Sequence, residues 1–302
     1  MKKGLLKRDI RWIAVLGSCL LLAEGASAQF NDGFETYNGS PAGQILTGQG
    51  GWYNPVGGSN DYRVYTYAGN ALGAPANPNG GTQFAAGTSL GGTGFARAQH
   101  DLTYGSGLWC ICYWILVQVV GPGPFVDNVG SFSQQPAPND YIQLNTWVPG
   151  EEGTLWRVGY LAYDKFNTQF PAPGAIPGPE WENIPRKVWI YVCTYCDFDL
   201  NRITLVTIQP LGGPETSYVP DPPWYLEGGP GGSSAPATAV RMFAGGDSPG
   251  NVMAFDEIAI NPMNTTPVAP TTWGRIKATF SETTRRVAPR PVSYPTHWPA
   301  VD

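Results

Sequence analysis

The sequence predicts an all-β protein, a sandwich or a barrel, on three observations. Runs rich in Val, Ile, Thr, Tyr and Trp recur along most of the chain, each bounded by Gly, Pro, Asn or Asp. Glycine (39) and proline (29) are abundant, yet 42% of residues are hydrophobic and 13% aromatic, so these two residue types read as turn chemistry around a packed core. No amphipathic pattern of helical period and useful length appears before residue 270. Many strands without helices close as a sandwich or a barrel.

Taken in order, the chain opens MKKGLLKRDIRW, continues through an apolar run at 13–23 and reaches Ala26-Ser27-Ala28. A basic start, a short apolar middle and a small-residue end predict a signal peptide over 1–28, cleaved after Ala28. The apolar run is shorter than the roughly 20 residues a bilayer-spanning helix needs, and no later segment suits a membrane span. Leu16-Gly17-Ser18-Cys19 offers a competing lipoprotein-type cleavage box, against which the apolar run continues through Leu20-Leu21-Leu22. The expected destination is therefore outside the cytoplasm: periplasm, cell surface or medium.

Strands are predicted at 61–67, 95–102, 108–120, 141–147, 155–163, 187–197, 202–209, 239–243 and 252–260, with long Pro- and Gly-rich loops at 120–140 and 170–185. These belong to one domain over 29–263. Residues 264–302 read as a linker followed by a basic, Pro-rich tail. Charge divides at the same place. Residues 29–263 carry 8 basic and 19 acidic side chains, a net of −11, while 264–302 carry 5 and 2, a net of +3. The main domain thus lacks the basic footprint of a nucleic-acid binder.

Four cysteines follow the expected cleavage point. Cys110 and Cys112 share one face of the strand LWCICYWILVQVV, whereas Cys193 and Cys196 face opposite ways if VWIYVCTYCDF is regular. One cross-strand disulfide between the two segments is easier than two. Buried thiols and a thiolate metal site remain open readings of the same four residues.

The opening FNDGFETYNGSPAGQILTGQGGW and the closing GGDSPGNVMAFDEIAI resemble the first and last segments of concanavalin A-like (laminin-G-like) jelly-roll domains in exported bacterial proteins. The resemblance covers roughly 30–262. It implies a two-sheet antiparallel jelly-roll sandwich whose first and last strands pair. It also implies a structural Ca²⁺, with Asp32, Glu35 and Asp256 as candidate ligands and Glu257 as a further one. Hard oxygen donors are what Ca²⁺ requires.

Catalytic signals are sparse. The fold houses polysaccharide hydrolases and lyases, but the Glu-x-Asp-x-x-Glu strand of the hydrolases is absent, as are HExxH and GxSxG, and there are two histidines, His100 and His297. A non-catalytic recognition or envelope-associated module is the leading expectation, with carbohydrate as the ligand class. The candidate ring-stacking residues are Trp52, Tyr53, Tyr65, Trp147, Trp156 and Trp181. The alternatives are a polysaccharide-active hydrolase or lyase with unrecognised residues, and a purely structural surface protein.

Overall fold

The computed structural model describes residues 30–56, 60–91, 94–102, 106–118, 127–135, 143–148, 155–163, 165–166, 168–170, 181–185, 187–226, 229–230, 239–245 and 249–263; at 127–135, 143–148, 155–161, 169–170 and 181–185 the description is of the backbone. The expected signal peptide and the tail at 264–302 lie outside the described residues. Eighteen strands and no helix make up what is described. They are β1 (Phe30–Asp32), β2 (Gln44–Ile45), β3 (Trp52–Tyr53), β4 (Arg63–Thr66), β5 (Gln83–Thr88) and β6 (Ala96–Asp101). Then come β7 (Leu108–Gln118), β8 (Asp127–Gln135), β9 (Gln143–Val148), β10 (Leu155–Tyr163), β11 (Gln169–Phe170) and β12 (Trp181–Pro185). The last six are β13 (Ile190–Asp197), β14 (Arg202–Pro210), β15 (Thr216–Tyr218), β16 (Trp224–Tyr225), β17 (Ala239–Ala244) and β18 (Val252–Pro262).

All strand pairings are antiparallel, and they form two sheets. Sheet A runs β2–β4–β5–β18–β7–β13–β14–β15. Sheet B runs β3–β6–β17–β8–β9–β10–β12. β10 belongs to both, because its last residues, Ala162 and Tyr163, pair with β11 in sheet A. The first and last strands pair as expected, with Phe30 opposite Ile260 and Asp32 opposite Ile258. The protein is a two-sheet antiparallel jelly-roll sandwich.

The core explains why β7 reads as an unbroken apolar run. Trp109, Ile111, Tyr113, Ile115 and Val117 point inward to meet Val192 of β13, Ala96 and Ala98 of β6, and Val240 and Met242 of β17. On the opposite face, Trp114 and Leu116 join Tyr65, Phe84, Trp189 and Ala254 in a second buried cluster, which Tyr67 and Leu72 partly cover. A strand buried on both faces has no polar positions to alternate with. The expectation that Trp109, Trp114 and Trp189 are core residues holds.

Two expectations are corrected. The stretch at 120–140 contains strand β8, and that at 170–185 contains β12. Their sequences, DNVGSFSQQ and WENIP, carry little β-branched content. What makes them strands is backbone pairing: β8 lies between β17 and β9, and β12 lies against β10. Ladder hydrogen bonds supplied by neighbours override local propensity.

Cys112 and Cys193 sit opposite one another in the β7–β13 ladder and form a disulfide that closes a sequence separation of 81 residues. Loop-closure entropy on that scale contributes about 4–5 kcal/mol. Cys110 and Cys196 lie outside the bond, which corrects the expectation for those two. Cys196 faces the inner core on the opposite side of β13, as strand alternation requires, and its burial pushes the thiol well above its usual range.

Candidate functional site

The first site lies where β18 changes partners. Its first half, Val252–Phe255, pairs with β5, and its second half, Ile258–Ile260, with β1. A bulge between Asp256 and Ala259 makes the switch. Glu257, inside the bulge, has a left-handed φ of 48°, and Phe34, just after β1, has φ 63°. Non-glycine residues held in that region mark a backbone over-determined by its surroundings.

The Asp256 carboxylate is fully buried there. Its Oδ2 accepts from the Tyr67 hydroxyl (2.6 Å) and the Asn77 amide (3.2 Å), and its Oδ1 accepts from the Glu257 backbone N–H (2.9 Å). Glu35 reaches the same loop, accepting from the backbone N–H groups of Thr82 (2.7 Å) and Gln83 (2.9 Å) and from the Thr82 hydroxyl (2.8 Å). Gly80 and Gly81 let the loop approach this closely. A Cβ on Gly80 would overlap the Asp256 carboxylate, and one on Gly81 would overlap that of Glu35.

Electrostatically the corner is negative. Burial raises the pKa of Asp256 to about 7, and the Glu257 charge pushes in the same direction. Burial raises Glu257 too, and the charges of Glu35 and Asp32 add to it. Among the described residues no basic side chain pairs with Asp256. A buried carboxylate without a cation is costly. The carboxylates of Asp256 and Glu35 are hard oxygen donors, the class a divalent cation takes.

Asp32 plays a different part. Its carboxylate accepts from the Phe34 N–H (2.8 Å), the Tyr37 hydroxyl (2.6 Å) and the Trp52 indole N–H (2.7 Å), a strut tying β1 to β3. The ligand atoms of Asp32, Glu35 and Asp256 do not all fall within 4.8 Å of one another; among the described residues only Cys110, Cys112 and Cys193 meet that closeness.

The second site is the outer face of sheet B. Strand alternation turns Ala96, Ala98, Val240 and Met242 into the core. Arg97, Gln99 and Asp101 of β6, Arg241 and Phe243 of β17, and Tyr53 of β3 therefore take the opposite face. Register places Tyr53 opposite Gln99 and Gln99 opposite Arg241. The Arg241 guanidinium donates twice to Gln99 Oε1 (2.9 and 2.6 Å), the Gln99 amide donates to the Tyr53 hydroxyl (2.6 Å), and that hydroxyl donates to Asp101 (2.7 Å). Beside this chain, Arg97 lies over the rings of Phe95 and Phe243, at 5.1 and 5.3 Å. Such a row fixes donors and acceptors in place before any ligand arrives.

Of the expected ring-stacking residues, Tyr53 is partly exposed and belongs to this row. Trp52 and Tyr65 are corrected: at 1% and 5% exposure they are core residues, and Trp52 spends its indole N–H on Asp32. Trp147, Trp156 and Trp181 have their backbones in β9, β10 and β12, and their side chains lie outside the described residues. His100 is partly exposed and packs against Phe30 and Trp52, with ring centroids at 4.6 and 5.4 Å. Gln99 and Arg241 escaped the sequence reading. The signal was there in ARAQHD, where Arg97, Gln99 and Asp101 repeat at the strand period.

No family model matches the chain, and no curated protein matches it. Several solved structures align with it at low identity. The CBM2 module of the Lactobacillus casei BL23 phage J-1 evolved Dit aligns at 11% identity over 79% of this chain and 96% of its own, with a TM-score of 0.45. An endo-beta-1,4-glucuronan lyase from the fungus Trichoderma reesei aligns at 13% identity, covering 78% and 96%, with a TM-score of 0.40. Peanut lectin aligns at 10% identity, covering 77% and 95%, with a TM-score of 0.41.

Proposed function

We propose that this protein is an exported, non-catalytic carbohydrate-recognition module that binds its glycan on the outer face of sheet B. One observation carries the reading: the hydrogen-bonded row Arg241–Gln99–Tyr53–Asp101 on the outer face of sheet B, where Gln99 is buried, Arg241 and Tyr53 are partly exposed and Asp101 is exposed. Sugar hydroxyls both donate and accept, so a fixed alternation of guanidinium, amide, phenol and carboxylate meets their chemistry. Tyr53 adds a ring edge, and the Arg97 stack on Phe95 and Phe243 adds a flat apolar flank. A cell-envelope glycan is the partner this implies. The disulfide fits an oxidising compartment.

Ca²⁺ is part of the proposal as a structural ion. Asp256 and Glu35 would hold it, with Glu257 alongside. It would supply positive charge to a corner that otherwise crowds carboxylates, and would pin the loop around Gly80 and Gly81.

The test is a glycan array run beside a reducing-end release assay on several polysaccharides. The expected result is binding without turnover, weakened about tenfold or more by Arg241→Ala, since a charge-assisted hydrogen bond is worth about 1.5–3 kcal/mol. Release of reducing ends would replace this reading with a hydrolase or lyase. Neither binding nor release would leave a purely structural surface protein.

A further inference from the structure

The outer face of sheet A carries three sulfurs that neither the glycan row nor the carboxylate corner uses. Cys110, Cys112 and Cys193 have all their Sγ atoms within 4.8 Å of one another. Two of them form the Cys112–Cys193 disulfide, and the Cys110 sulfur lies 3.0 Å from that of Cys112. Cys110 is partly exposed, while Cys112 and Cys193 are 6% and 5% exposed. Cys196 takes no part, being fully buried on the other face of β13.

We propose that these three residues form a thiol–disulfide exchange site in which Cys110 attacks Cys112 and releases Cys193. The Cys110 thiol gives its proton to solvent, and its thiolate sulfur bonds to Cys112 Sγ. The Cys112–Cys193 bond breaks, and its electron pair leaves on the Cys193 sulfur, which takes a proton from solvent. One disulfide and one thiol stand on each side, so no oxidant or reductant is consumed.

Register selects the sulfur attacked. Cys193 is directly opposite Cys112, which leaves Cys110 on the diagonal. Diagonal neighbours are about 7–8 Å apart between Cα atoms, beyond the roughly 4.4–6.8 Å that a disulfide spans. Cys110 and Cys112 are two residues apart on one face of a strand, about 6.6 Å between Cα atoms and inside the range a disulfide spans. The Cys110–Cys112 isomer sits at the long end of that range, so the cross-strand isomer is the major form.

The exchange has a structural consequence. A tie between β7 and β13 becomes a tie within β7, and the reactive thiol moves from Cys110 to Cys193. Reagents and partner thiols that reach this face therefore meet two alternative cysteines.

The test uses the intact chain, alkylated with iodoacetamide over a time course without denaturant, quenched in acid and mapped by peptide mass. The expected result is label on both Cys110 and Cys193, with molecules labelled at Cys193 showing the two-hydrogen loss of a Cys110–Cys112 disulfide. In Cys110→Ser, native labelling at Cys193 should fall about tenfold or more, because only an exchanged-out thiolate alkylates. A second arm needs no kinetics: Cys193→Ser, kept in oxidised glutathione and shown by circular dichroism to keep the wild-type spectrum, should form the Cys110–Cys112 disulfide. Label confined to Cys110 with the Cys112–Cys193 bond intact would overturn the proposal. So would a folded Cys193→Ser protein in which Cys110 and Cys112 both stay alkylatable.

Discussion

Replacing Asp256 with Asn tests the charge balance of the β18 corner. Burial is the main reason the Asp256 pKa rises from 3.8 to about 7. A raised carboxylate pKa means that folding favours the protonated form. Its contribution is therefore fully present below the unfolded value near 4 and is lost as pH climbs through about 7. Three pH units correspond to about 4 kcal/mol, at about 1.4 kcal/mol per unit. For a domain of this size that is about 10 °C in Tm. In EDTA, the wild type should lose this stability relative to Asp256→Asn between pH 4 and pH 8. At pH 8 in EDTA, the variant should be the more stable of the two. Millimolar Ca²⁺ should restore the wild type and leave the variant unmoved. The assay is thermal unfolding followed by circular dichroism, in EDTA and in CaCl₂, across that pH range. Two results would refute the reasoning: wild-type and variant curves that run parallel with pH in EDTA, or a variant that keeps the full Ca²⁺ response.

Two further substitutions separate roles that the sequence confounds. Trp52→Phe removes the indole donor to Asp32 and should cost about 1–3 kcal/mol in urea unfolding, with glycan affinity unchanged, because a buried acceptor loses its partner. Gly80→Ala drives a Cβ into the Asp256 carboxylate; overpacking of that kind costs about 1–3 kcal/mol, and differential scanning calorimetry should show the Ca²⁺-dependent rise in Tm disappear with it.

The sequence by itself determined the strands that carry their own pattern. β4, β6, β7, β9, β10, β13, β14, β17 and β18 are rich in β-branched and aromatic residues or alternate at period two, and all were legible. Alternation along β13 also placed Cys193 and Cys196 on opposite faces. Tertiary structure decided the rest. β8 and β12 are strands because neighbouring ladders satisfy their backbones, a fact that DNVGSFSQQ and WENIP do not encode locally. Composition could not separate Trp52 from Tyr53. One residue along a strand turns a side chain from core to surface, and the pairing of β3 with β6 settles which is which. The carboxylates were legible as a group, but their roles were not. Asp32 and Asp256 lie more than two hundred residues apart in the chain. One became a strut and the other a buried charge because of what the fold packed against each, and burial and partner geometry are properties that only the closed sandwich has.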